Sequence, residues 1–490
     1  MVIYKICGDN MKELIKYLNE IEKNNYMVRI LRWEMDTKTP PKEMDHLLEL
    51  INEYIVKSFE LSTSEEYIKL VNKALEDDND KETKIFLEDL KESYERFKKV
   101  PKDFYKEYTD YSNKSLNAWV KAKEKNDYSL YKPYLLKMIN YTKELYNYMY
   151  DSGNLYENMV GNFEKGIKLD LIDKLFNDIK EELIPLIKSL DNKTIKLEID
   201  TNKDMLEKVS EFLLNYIGFD MERGALGNFT HAYTTTISKD DVRITYPNTR
   251  DIINHSTSII HEGGHGIFEQ NVDRKLLDIP TYYINKIALH ESQSRFYENI
   301  LGRNINFWKP IYSEFKKLTN INIPLLEFMK YLNNASRSLI RTEADELTYT
   351  MHIIIRYEIE RDIFNGNIDL DNLDKVWNQK YKDYLGIDVT DDKSGILQDM
   401  HWSDGSFGYF PCYLLGSIFD GMLLEKINNE IGNVDDLLES GRIKEITKYL
   451  NDNIHKYGDA YNINEVSIRL FNKEMTSKPI INYFINKYSK

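Results

Sequence analysis

His261, Glu262 and His265 stand in the order H-E-x-x-H within the stretch IIHEGGHGIFEQ. On a helix, residues four apart share a face, so the two imidazoles can bind one metal ion between them. Glu262, about one residue further round, is placed to act as general base on a water at the metal's open position. The chemistry this spacing serves is metal-assisted hydrolysis. Five of the 9 histidines fall between His231 and His290, which concentrates ligating capacity in one segment. The same stretch holds Gly263, Gly264 and Gly266, although each glycine in a helix interior costs about 1 kcal/mol relative to alanine. The expectation is that Gly263 leaves room for substrate and Gly264 for close packing behind the metal. Gly266 has no role that the sequence suggests.

A catalytic zinc usually takes three protein ligands and leaves one position for water. The run INKIALHESQSRFYENIL supplies two rivals for the third place, Glu291 and His290. Adjacent helical residues point about 100° apart, so only one of the pair reaches the ion.

The elements that must position these groups are mostly helices. Over the first 230 residues Leu14, Ile15, Leu18 and Ile21 typify an apolar stripe at helical spacing, with Lys and Glu between. Pro40-Pro41 ends one helix and opens another, and DSGN at 151–154 marks a turn. Between Gly224 and Pro247 the β-branched and aromatic residues of HAYTTTISKDDVRITY predict a short hairpin or small sheet. Helices then resume to the end. With no repeat and no linker in view, the 490 residues read as one catalytic unit. Its parts are an N-terminal helical scaffold (1–223), the metal and substrate region (224–430) and C-terminal helices (431–490).

Composition narrows the partners. A net charge of -15 argues against nucleic acid, because binding phosphates needs an excess of Lys and Arg. No apolar run is long enough to span a membrane and the N-terminus lacks the pattern of a signal peptide, so a cytoplasmic location is expected. Cys7 and Cys412 are too far apart in sequence to suggest a disulfide framework or a zinc ribbon. Any metal must therefore be held by His and carboxylates.

Further motifs follow in order. HEGGH is preceded by DVRIT (Asp241 to Thr245) and followed by HESQSR (His290 to Arg295), SLIRTEADE around Arg341, GILQDMHW (Gly395 to Trp402) and GSFGYFPCY (Gly405 to Tyr413). WEMDTKTPP near Trp33 and GFDMERG (Gly218 to Gly224) extend the set into the N-terminal half. Together they resemble the thermostable metallocarboxypeptidases of the Taq carboxypeptidase type over nearly the whole chain. The resemblance implies a mainly α, zincin-like fold with a deep groove and the zinc at its floor, usually as a homodimer. It implies removal of single residues from peptide C-termini with broad specificity. His261, His265 and Glu291 would bind the metal, with Glu262 as general base and later acid. The same ligands suit Co²⁺ as an activating substitute.

A carboxypeptidase also needs a cation for the substrate's terminal carboxylate, and the planar fork of arginine suits it. Arg341 and then Arg243 are the candidates, each with acids nearby in sequence: Glu343, Asp345 and Asp241. Tyr409 and His401 are candidate donors to the developing oxyanion, and His231 to the substrate carbonyl. Asp399 and Gln398 are expected to orient these donors or a ligand imidazole. The chain departs from the family at His231-Ala232-Tyr233, where HPF is usual, at Cys412, and in the bulky residues before HES; these bear on pocket shape. Two other readings share the motifs: an oligopeptidase or endopeptidase on the same metal site, and a helical peptide-binding protein without turnover.

Overall fold

The computed structural model describes residues 8–283 and 285–489; Cys7 lies outside them. Among the described residues the chain is mainly helical, with one three-stranded sheet. Its contacts gather into two compact units, each drawing on three stretches of sequence.

The first unit comprises the described parts of Met1–Glu107, Ile199–Asn285 and Ile443–Tyr461. Its opening helix, Asp9–Thr37, buries Leu14, Ile15, Leu18 and Ile21 as the spacing predicts. They pack with Tyr67, Val71, Leu87 and Tyr94 and with Val272, Leu276 and Tyr282. The helix stops ahead of the proline pair, and Pro41 opens a single 3₁₀ turn that feeds the helix Met44–Ser62. Proline suits that place because its missing N–H is one that a first turn leaves unpaired anyway.

The expected sheet is present and larger than a hairpin. Strands β1 (Gly224–Asn228), β2 (Thr234–Ser238) and β3 (Asp241–Tyr246) lie in the order β1-β3-β2. β2 and β3 form an antiparallel hairpin, and β1 runs parallel to β3 with Gly224 opposite Val242 and Asn228 opposite Tyr246. Val242, Ile244 and Tyr246 are buried on one face of β3, so Arg243 points to the other. The helix Ile252–Gln270 follows, its start capped by Asp251, which accepts from the amides of Ile253 (3.1 Å) and Asn254 (3.2 Å). This helix packs on β2, β3 and the helix Lys203–Ile217.

The second unit comprises the described parts of Tyr108–Glu198, Lys286–Arg442 and Asn462–Lys490. The DSGN stretch turns as expected, and Asn154 caps the helix Leu155–Phe163 by accepting from the amides of Tyr156 and Glu157. The helix Ile287–Arg295 lies tightly along the helix Pro411–Glu430, while Tyr349–Asn365 runs through the core of the unit with almost every residue buried. Cys412 is buried and unbridged. No helix among the described residues is long and apolar enough to cross a membrane.

Candidate metal centre and active site

The helix Ile252–Gln270 tolerates Gly263 and Gly266 because a neighbour occupies the space. A Cβ on Gly263 would stand 2.5 Å from Ile217 Cδ1 and 2.7 Å from Leu214 Cδ2; one on Gly266 would stand 2.4 Å from the ring of Phe219. Such distances are closer than carbon atoms can approach without displacement. Gly263 therefore serves close packing against the helix Lys203–Ile217 rather than the substrate side expected for it. Gly266, three residues on and on the same face, does the same for Phe219.

The opposite face carries the imidazoles. His261 and His265 are partly exposed, with ring centroids 4.9 Å apart and planes at 84°. One ring nitrogen from each and one carboxylate oxygen of Glu291 lie within 4.8 Å of one another. Two imidazoles and one carboxylate form the donor set of a catalytic zinc site, and ligands of a tetrahedral ion at about 2.0–2.2 Å stand roughly 3.4 Å apart. In donor chemistry the residues fit a single divalent ion. The gathered group includes Glu291 and not His290.

Glu291 is buried, and Arg295, four residues on along the same helix face, brings Nη1 to 3.7 Å from Glu291 Oε1. Arg295 is itself fixed: its Nε donates to Ser417 Oγ at 2.8 Å and its guanidinium sits 4.0 Å over the Tyr349 ring. Close approach of the two helices depends on Gly416, where a Cβ would fall 2.7 Å from the Ser292 nitrogen and 2.9 Å from the Ala288 oxygen. On β2, Thr234 Oγ1 lies 2.7 Å from Glu262 Oε2 and 2.9 Å from the Glu262 carbonyl oxygen, tying the buried carboxylate to the edge of the sheet.

The proposed donors sit together. The rings of His401 and Tyr409 stack with centroids 5.5 Å apart. Burial, and after it the Glu291 carboxylate, push the Tyr409 phenol above its ordinary value, so at neutral pH it remains a hydroxyl able to donate. Burial pulls His401 down to about 4, so its imidazole is neutral at pH 7, and its buried Nδ1 has no hydrogen-bond partner among the described residues. Any bond it offers substrate comes from a neutral ring.

Neither candidate arginine stands alone. Arg341, buried, gives Nε and Nη2 to Asp399 (3.0 and 2.9 Å) and Nη1 to the Tyr349 hydroxyl (3.1 Å). None of the nearby acids Glu343 and Asp345 is its partner in these bonds. Asp399 also accepts from Arg356 Nε at 2.7 Å, and Gln398 Oε1 accepts from Arg356 Nη2 (2.7 Å) and the Arg341 amide (2.9 Å). Asp399 and Gln398 thus orient arginines and not an imidazole ligand in these bonds. Arg243 makes a two-point pair with Asp241, Nε to Oδ1 at 2.8 Å and Nη2 to Oδ2 at 2.7 Å, beneath a cation–π contact with Trp33. His231 is exposed, its carbonyl oxygen accepting from Thr245 Oγ1 at 2.8 Å.

Sequence reasoning did not single out Thr234, Arg295, Arg356 or Glu360. Arg295 was open to notice, being four residues from Glu291 on a helix. Arg356 and Glu360 share the same spacing, but on a helix rich in charged residues, where only its burial on nearly every side marks them as groups that need partners. Thr234 carries no such mark, since one hydroxyl on a threonine-rich strand resembles its neighbours.

An H-E-x-x-H helix and a buried glutamate in a mainly helical fold supply the residue types of a metal-dependent hydrolase. Residues 13–488 match the family described as Carboxypeptidase Taq (M32) metallopeptidase. The chain is 35% identical over 491 residues to Carboxypeptidase 1 of Bacillus subtilis (strain 168), covering 98% of each. It is 29% identical over 501 residues to Thermostable carboxypeptidase 1 of Pyrococcus furiosus, covering 98% of this chain and 99% of that one. A solved structure of the Pyrococcus furiosus carboxypeptidase matches with a TM-score of 0.91 at 27% identity, over 98% of this chain and 99% of that chain. The chain belongs to the Carboxypeptidase Taq (M32) metallopeptidase family and is a hydrolase of the metallocarboxypeptidase class.

Proposed function

We propose that this protein is a zinc-dependent carboxypeptidase of broad specificity that removes single residues from the free C-termini of peptides. The observation that carries the reading is the donor set of His261, His265 and Glu291, within 4.8 Å, on a chain of metallopeptidase family. These three residues would hold the ion, and Co²⁺ would serve in its place. A bound divalent ion acidifies water to a pKa near 7 and polarises a carbonyl, which is the chemistry peptide hydrolysis requires.

Around that centre the chain's own groups divide the work. Glu262, oriented by Thr234, takes a proton from the attacking water and returns it to the leaving amine. Tyr409, kept protonated by burial, donates to the carbonyl oxygen as negative charge develops, with His401 stacked beside it. Arg341 and Arg243 receive the substrate carboxylate, and His231 the substrate carbonyl. Because both arginines are paired already, substrate shares or displaces an existing carboxylate contact instead of filling an empty one. The protein acts as a homodimer in the cytoplasm, without nucleic-acid or membrane partners, and residues 1–490 form one catalytic unit.

The test is incubation of purified protein with free and C-terminally amidated peptides, with Zn²⁺, Co²⁺ or chelator, and products followed by mass. Stepwise loss of single C-terminal residues from free peptides, abolished by chelator and restored by either ion, is expected. Internal fragments or cleavage of amidated peptides would overturn the carboxypeptidase reading, and full activity of Glu262→Gln would overturn the mechanism.

A further inference from the structure

His401 and Tyr409 bound a short segment, and one buried side chain fastens both of its ends. Glu360, on the helix Tyr349–Asn365, is inaccessible to solvent. Its Oε1 accepts from Trp402 Nε1 at 2.7 Å, one residue after His401. Its Oε2 accepts from the Gly408 amide at 2.8 Å, one residue before Tyr409. The Tyr156 hydroxyl donates to the same Oε2 at 2.9 Å. The Gly408 backbone is held from its other side as well: it takes φ of +85°, and a Cβ there would meet the Met159 carbonyl carbon and the Val160 nitrogen at 2.7 Å.

We propose that Glu360 is a positioning residue for peptide hydrolysis: by clamping Trp402 and Gly408 it sets where the Tyr409 hydroxyl stands at the reacting carbonyl. This rests on the reading of Tyr409 as an oxyanion donor. The argument is one of donor and acceptor chemistry. An indole N–H and a peptide N–H can only donate, so both ends of the clamp must accept. A carboxylate accepts at both oxygens, whereas an amide of the same shape offers one oxygen and turns an NH₂ against the other donor. Space-filling alone would be met by an apolar residue, since burying a carboxylate is costly. A donor to a developing charge, in turn, is effective only where it is preorganised, and small misplacement is expensive. Arg356, one turn earlier on the same helix, holds Gln398 and Asp399 ahead of His401, so the segment is anchored to one rigid element along its length.

The experiment measures kcat and KM of metal-loaded enzyme on a free peptide for Glu360→Gln, Tyr409→Phe and the double variant, with metal content and thermal unfolding recorded for each. Glu360→Gln is expected to lower kcat about tenfold, with KM within about twofold and metal retained. In the Tyr409→Phe background the same change is expected to cost less than about twofold, because its effect runs through the missing hydroxyl. Trp402→Phe, which removes the N–H together with part of the buried indole's bulk, supplies the same comparison, read between the two Tyr409 backgrounds, where Glu360→Gln does not fold. An undiminished kcat in folded, metal-loaded Glu360→Gln overturns the proposal, as does an equal loss in both backgrounds. Full kcat in Tyr409→Phe alone overturns instead the reading of Tyr409, and the clamp's action through it falls with that reading.

Discussion

The hydroxyl of Thr234 donates across 2.7 Å to Oε2 of Glu262, from the edge strand of the sheet to the helix that carries the metal motif. A buried carboxylate that must face a reacting water needs its rotamer fixed, and this bond helps to fix it. Thr234→Val keeps the shape and removes the donor. Hydrogen bonds to charged groups are worth about 1.5–3 kcal/mol, so kcat on a free peptide is expected to fall at least tenfold while KM and metal content hold. Steady-state kinetics with metal analysis checks it, and an unchanged kcat would leave the bond without a catalytic part.

Gly263 lies against Leu214 and Ile217, so enlarging it acts first on packing. Gly263→Leu is expected to destabilise the fold by more than the 1–3 kcal/mol usual for an overfilled core, seen as a large drop in the urea midpoint or as insoluble protein. The smaller Gly263→Ala should show the same direction in part. A Gly263→Leu protein of normal stability that merely fails to turn over would restore the substrate-side role.

Asp399 stands between Arg341 and Arg356, and the two guanidiniums hold its carboxyl well below the usual carboxylate range although burial alone would raise it. Removing one member of a buried ionic group strands the others, at about 3–5 kcal/mol. Asp399→Ala should lose stability on that scale in urea unfolding, while Arg243→Ala, whose pair with Asp241 is only partly buried, should lose far less.

His255 offers a test of pH dependence in the scaffold. It is buried, its Nε2 lies 3.1 Å from both the Leu206 oxygen and Ser210 Oγ, and burial pulls its pKa down to about 4. Between that value and the unfolded value near 6.5 the unfolded chain binds a proton that the folded chain does not. Stability present at neutral pH is therefore lost as pH falls from about 6.5 towards 4. His401 shifts the same way. Urea midpoints should fall from pH 7.5 to pH 5, and His255→Asn should reduce that difference without abolishing it. An identical difference in the variant would place the proton uptake elsewhere.

What the sequence by itself determined was set by local rules. Helical stripes, the proline pair, the Asn154 turn and the strand-forming run each depend on neighbours within a few residues, and each appears in the structure where its pattern lies. The H-E-x-x-H spacing likewise puts both imidazoles on one face of any helix that forms, and the ordered motifs pointed to the family that the comparisons show. Tertiary structure decided the partners. Glu291, and not the adjacent His290, offers a ligand atom to the group with His261 and His265, a choice that spacing alone left open. The pairing of Arg341 with Asp399 spans 58 positions, and that of Glu360 with Trp402 and Gly408 spans 42 and 48. Acids nearer in sequence to Arg341 were passed over because side-chain direction and burial choose a salt-bridge partner, and neither is a property of sequence distance. The three glycines of HEGGHG show the same division: their cost was visible in the chain, and two of the atoms that excuse it, on Leu214 and Phe219, were visible only after folding.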